Sequence, residues 1–320
     1  MKLKLMTIMM TLALGMIPFV SASTRVVEES NLSVGGAQLT VAAYRVTLNG
    51  FRVNHETFDT AFETDGKGDE VFIISEAGSI DRTASVSHRV SRKSKTYGDI
   101  NGFPERVQAG SRSDKGGLKT GDCAPNRDLS QPRPAGMSTF NDDFPMLLWQ
   151  GNLYSGTWSN AVVIMPTIWE WDLHSINFPV PGHPIPHDVP PEWQVGGEFD
   201  RRLGGDFGRF VSTGIRTVFR TPFLGPPRTG WAQERSMADI FNMGTNGTRV
   251  IGLRPAERVA FTDVFQPIVL IMTFDAAEQV LRGTNGMFEM TYQEPDCCGL
   301  EGSYTLFLQL ERLPPVRLGP

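Results

Sequence analysis

Two short acidic segments hold the side chains best suited to chemistry. The first runs Glu63, Asp65, Gly66, Lys67, Gly68, Asp69, Glu70 and passes directly into the apolar run Val71 to Ile74. The second follows Val162 to Met165 and reads Trp169, Glu170, Trp171, Asp172. Carboxylates at strand edges, spaced by glycines that allow tight turns, suit a hard cation such as calcium, which takes six to eight oxygens from flexible loops. Glu170 and Asp172 are two positions apart, so they share one side if the strand continues through them. Asp65, Asp69, Glu170 and Asp172 are therefore the expected metal ligands, with calcium as the expected cofactor. Four carboxylates brought together would repel one another, so their convergence would itself call for a cation or a bound basic group. The plainer alternative is that these acids decorate exposed turns.

Other chemistry is weaker. His174, His183 and His187 lie close in sequence beside Glu170, Asp172 and Asp188, a composition that suits a transition metal or acid/base work. Pro181, Pro184 and Pro186 extend that segment, which favours a solvated proline-rich loop. A hydrolase using Asp172 or Glu170 as general base, with His174 as its partner, is the alternative function. His55-Glu56-Thr57-Phe58-Asp59 has Asp where a zincin carries its second His, and it follows a strand rather than lying on a helix. No nucleophile elbow, phosphate loop or dinucleotide fingerprint occurs. The six tryptophans offer core packing first and a sugar-stacking face second. Cys123, Cys297 and Cys298 predict one disulfide, from Cys123 to one of the adjacent pair, because neighbouring cysteines close only a strained ring.

The elements that must position these groups read mostly as strands. Tyr44, Val46 and Leu48 alternate with polar residues, and so do Tyr304, Leu306, Leu308 and Leu310. Val71 to Ile74, Ala161 to Met165 and Ile268 to Phe274 are apolar on both faces and predict interior strands. One helix is expected from Asp275, as its cap, through Val280 and Leu281 to Gly283, with Glu278 completing a capping box. A second is expected over Ser236 to Met243. Residues 91–144 and 178–191, rich in Ser, Gly, Asp and Pro, read as surface insertions. The basic cluster His88, Arg89, Arg92, Lys93 and Lys95 reads first as a solvated loop and second as an anion-binding surface.

Composition sets the frame. Of 320 residues, 40% are hydrophobic and 20% charged, and 33 Gly with 22 Pro favour strands and turns over long helices. Lys2 and Lys4, the apolar stretch Leu5 to Val20 and the small residues before Ser23 predict a signal peptide over 1–22, leaving 23–320 as one elaborated domain. Losing two lysines takes the net charge from −5 to −7, which argues against nucleic acid as a partner. No later run is long enough for a transmembrane segment, so a secreted or periplasmic protein is expected.

The two acidic segments resemble the calcium-dependent phospholipid-binding β-sandwich domains of protein kinase C and synaptotagmin. In that family a strand is followed by a loop of the type Asp-x-x-Gly-x-Ser-Asp-Pro-Tyr-Val, and a later strand ends in Asp-x-Asp after an aromatic. Asp65-Gly66-Lys67-Gly68-Asp69-Glu70-Val71-Phe72 is similar to the first, and Trp169-Glu170-Trp171-Asp172 to the second. The likeness covers residues 39–74 and 160–172, with Glu70 in place of the proline and Glu170 in place of an aspartate. Together with the periodicity it predicts a mainly β fold, an antiparallel β-sandwich with the long loop insertions and one or two short helices read above. It also implies a binding protein that engages a surface or ligand through its loops, with calcium; a membrane surface is the partner the likeness suggests, and a glycan is the one the tryptophans suggest. A component acting through partner assembly is a third reading.

Overall fold

Alternation and apolar runs become two packed sheets. The computed structural model describes residues 32–34, 37–57, 68–80, 86–98, 105–114, 116–134, 136–156, 160–171, 235–236, 248–255, 263–265, 268–297 and 300–314. A short hairpin, β1 (Leu32–Val34) with β2 (Ala37–Leu39), precedes the long β3 (Val41–His55). Then come β4 (Val71–Ile80), β5 (Val86–Lys93), β6 (Thr96–Tyr97), β7 (Arg106–Val107) and β8 (Cys123–Ala124). Next are β9 (Met146–Tyr154), β10 (Ala161–Trp171), β11 (Arg235–Ser236), β12 (Thr248–Val250), β13 (Leu253–Pro255) and β14 (Asp263–Phe265). The chain continues through β15 (Leu270–Thr273), α1 (Phe274–Thr284), β16 (Met287–Cys297) and β17 (Leu300–Arg312).

The first sheet runs β12-β10-β4-β6-β7, with β15 also on β10 and β5 also on β4. The second runs β16-β17-β3-β8, with β9 also on β3. Pairing is antiparallel except between β6 and β7. The expected mainly β, antiparallel sandwich is what the chain forms. Strands β11, β14 and β13 make a separate small sheet. Among the described residues no helix is long and apolar enough to cross a membrane.

Period-two patterning explains the interior. Inward residues of β3 and β17, among them Tyr44, Val46, Leu48, Tyr304, Leu306 and Leu308, join Ile73, Ile164 and Ile168 of the first sheet in one buried cluster. Every residue of β4 is buried, as its unbroken apolar start predicts. Polar contacts also stitch the layers. Trp149 Nε1 donates to Ser79 Oγ at 3.2 Å, and the Tyr292 hydroxyl donates to the Pro166 carbonyl at 2.5 Å while accepting from Ile268 N at 3.0 Å. Burial pushes the Tyr292 phenol up, so it stays a donor. A further contact joins Tyr304 to Asp69. In β3, Gly50 takes φ 148°, and a Cβ there would lie 2.3 Å from the Ala124 carbonyl oxygen, so β8, which pairs with Phe51 and Arg52, can approach only because position 50 is a glycine.

Several expectations are corrected. The helix cap is Thr273, whose hydroxyl accepts from Ala276 N at 3.3 Å. Asp275 stands in the first turn and Asn285, at φ 53°, closes the helix one residue beyond Thr284. Phe274 starts this helix rather than ending a strand. The basic cluster runs along β5 into β6 instead of a loop, because Val90 packs on the core and Lys93 lies over the Phe72 ring at 5.0 Å. The 91–144 stretch contributes the end of β5 together with β6, β7 and β8, so it is woven into both sheets. Ser236 lies in β11; 237–247 and 178–191 fall outside the described residues.

Candidate functional site

The ends of β3 and β10 and the entry to β4 meet at one end of the sandwich. Asp69 is fixed first by backbone: its N–H donates to the Leu118 carbonyl at 3.2 Å and its carbonyl accepts from Leu118 N at 3.1 Å. Its carboxylate then accepts from Thr57 N at 2.8 Å, from Thr57 Oγ1 at 2.8 Å and from the Tyr304 hydroxyl. The same Thr57 hydroxyl reaches Glu170 Oε1. Asp69, Glu170, Thr57 and Tyr304 are 2%, 1%, 3% and 0% exposed, so this is an interior polar cluster and not turn decoration. Glu170 also stands opposite Val71 on one side and opposite Arg249 on the other in the strand register.

Glycine makes room beside the cluster. A Cβ at Gly302 would come within 2.8 Å of Thr57 Cγ2 and 3.0 Å of Glu294 Oε2. Buried Glu294, across from Gly302 in register, accepts from Gly252 N at 3.1 Å. Three strands of one sheet edge and the loop before β13 therefore close on Thr57.

The donors define what the site can do. Asp69, with three hydrogen-bond donors on two oxygens, has most of its acceptor capacity used by the protein. Thr57 carries one hydroxyl proton between two carboxyl oxygens and serves one of them at a time. Glu170, buried against Thr57, is not placed as an accessible general base. Of the expected ligands, Asp69 and Glu170 are brought together. Asp65 and Asp172 lie outside the described residues, as does His174. Among the described residues, no group of three or more His, Cys, Asp or Glu side chains could hold a metal ion.

Thr57 and Tyr304 were missed by sequence reasoning. Tyr304 carried a signal, since a tyrosine on the buried face of a strand needs a partner for its hydroxyl. Thr57 carried none beyond its place after a strand.

Aromatic rings link this cluster to a second one. Phe51 lies 6.2 Å from Tyr304, 6.0 Å from Tyr97 and 5.9 Å from Phe144 between ring centroids, and Tyr97 stacks on Phe144 at 4.8 Å. The Tyr97 hydroxyl donates to Asp143, which also takes Lys95 Nζ at 2.9 Å and Phe144 N at 2.7 Å. Burial opposes the Asp143 charge, but the Tyr97 hydroxyl, Lys95 and the Phe144 N–H hold its carboxyl below the usual range. Burial first and then Asp143 push the Tyr97 phenol up, so it remains a donor.

Cys123 is a free thiol, half-buried in β8. Strands β3 and β17 separate it from Cys297 at the end of β16. The expected bridge from Cys123 to Cys297 or Cys298 falls on side chains outside the described residues. Cys298 lies outside the described residues. Burial pushes the Cys123 thiol up, Arg52 opposes it, and Asp122 and Asp128 add to it, which favours the neutral form.

No family model, curated protein or solved structure matches this chain. The functional reading therefore rests on the geometry alone.

Proposed function

We propose that this chain is an exported binding protein that engages its ligand through the loops at the Thr57–Asp69–Glu170 end of the sandwich, with calcium in those loops. One observation carries the reading: Asp69 and Glu170, 101 positions apart in sequence, share the Thr57 hydroxyl, so the roots of both acidic segments are tied to one point. An extended chain covers at most about 3.6 Å per residue, so Asp65 stays within about 14 Å of Asp69 and Asp172 within about 7 Å of Glu170 along the backbone. In this reading Asp69 is a strut, its oxygens taken by protein donors, and Asp65 and Asp172 are the carboxylates offered to the cation. Buried roots give a rigid base for a binding loop, which lowers the ordering cost on association.

Thermal melting tests it. The wild-type protein is expected to melt higher in excess calcium than in chelator, by a shift worth about 2.7 kcal/mol at a hundredfold excess over the dissociation constant. Asp65→Asn with Asp172→Asn should remove that shift and leave the chelated protein's melting unchanged. Equal melting of the wild type in both conditions overturns the calcium assignment.

A further inference from the structure

Strand β5 leaves one of its edges open. It pairs with β4 and with no other strand among the described residues. Its register sets Ser91 opposite Glu76 and Lys93 opposite Ile74, which brings Ser94 opposite Ile73, and Ser94 N donates to the Ile73 carbonyl at 2.8 Å. The next residue faces the other way: Lys95 N donates to the Asp142 carbonyl at 2.7 Å. Backbone groups alternate in direction along a strand, so the N–H and carbonyl of Ser91 point away from β4. Arg92 Nη1 donates to that carbonyl at 3.2 Å, on the same outward side. Asp142 therefore closes the edge at Lys95, and the edge is open at Ser91.

The chemistry of this edge is one-sided. Strand β5 reads Val86-Ser87-His88-Arg89-Val90-Ser91-Arg92-Lys93, with no acid. Glu76 answers Arg89 at 3.3 Å, whereas among the described residues no carboxylate pairs with Arg92. Arg92 stands opposite Ser75 in register, and both the Arg92 Nε and the Oγ of Ser75, a residue 1% exposed, are buried without a hydrogen bond. Unused polar capacity thus lies where side chains of an added strand would reach. Burial lowers the Arg92 pKa, and no acid offsets it.

We propose that β5 takes up an extended acidic segment of a partner protein as an added strand, with Ser91 pairing its backbone and Arg92 receiving a carboxylate. Strand addition draws affinity from main-chain hydrogen bonds and specificity from alternate side chains. A second copy of this chain fits poorly, because two β5 edges set antiparallel about a twofold axis would bring basic residues against one another. The bulge at His88, φ 48°, where the register shifts between Ala77 and Ser79, limits the flat run to the stretch between His88 and Lys95. Charges that deter neutral and basic strands thus select an acidic one. No residue of this edge takes part in the Thr57 cluster.

The test titrates the full chain with a blocked peptide of alternating glutamate and valine, and separately with its lysine and valine counterpart, at constant ionic strength. Amide hydrogen exchange and chemical shifts are read by NMR. Saturation with the acidic peptide should slow exchange of the Ser91 amide at least tenfold and leave the amides of β16, an edge strand carrying Glu289, unchanged. Arg92→Gln should weaken the affinity at least tenfold. Ser91→Pro removes an N–H that β4 does not use and should abolish binding. Should Ser91→Pro fail to fold, Arg92→Gln decides alone. Absent protection of Ser91, equal protection by the lysine peptide, or affinity unchanged in Arg92→Gln overturns the site. Protection of Ser91 that rises with protein concentration without peptide would give the edge to a second copy, and acidic-peptide binding without protection of Ser91 would reduce it to a charge contact; either result overturns it too.

Discussion

At the scale of single residues, the molecule's main commitment is to place a carboxylate where water cannot help it. Asp69 accepts from the Thr57 and Tyr304 donors, and leaving a buried acceptor unsatisfied costs about 1–3 kcal/mol. Tyr304→Phe removes one donor while keeping the ring against Phe51, so a loss of about 1–3 kcal/mol in urea unfolding is expected. A change below about 0.5 kcal/mol would show that the contact is not formed. Asp143 gives a pH signature of defined sign. Its folded pKa is depressed, so its contribution is present above the unfolded value near 3.9 and is lost as pH falls through the folded value. The stability gap between the wild type and Asp143→Asn should narrow below about pH 4, as unfolding curves across pH 2–6 would reveal. Acids at strand ends were legible in the sequence. Their partners were not, because the contacts join residues 12, 113 and 235 positions apart and no local pattern encodes such distances.

At the scale of elements, patterning identified the strands that carry the core and failed on short ones. Long alternation over Tyr304 to Leu310 maps onto β17, whereas β6, β7 and β8 are two residues each and too short for any period to show. Proline and glycine between them obscured strands held only by tertiary pairing. The helix start was misjudged by two residues for a related reason: Thr273 ends β15 and caps α1 at once, and its β-branched side chain reads as strand. Thr273→Ala should therefore cost about 1 kcal/mol, and Asp275→Ala less, since Asp275 acts only on the helix dipole. The reverse order in chemical unfolding would return the cap to Asp275. Within the core, Leu308→Ala should cost about 2–5 kcal/mol, because Leu308 is fully buried between the layers. A loss under about 1 kcal/mol would contradict that packing.

At the scale of the whole molecule, β3 is the axis of the second sheet: β17 lies on one side of it, and β9 and β8 on the other. Thr47 and Gln309, hydrogen-bonded across two neighbouring strands, are 262 positions apart. At synthesis rates of 5–20 residues per second, β3 would wait roughly 13–50 s for its central partner. Until then its inner edge faces solvent as an unpaired template, open to other chains. This wiring postpones closure of the second sheet until almost the whole described chain has been made. The polypeptide thus has a built-in delay before its second sheet can close, during which residues 41–55 are the stretch most open to pairing with other chains.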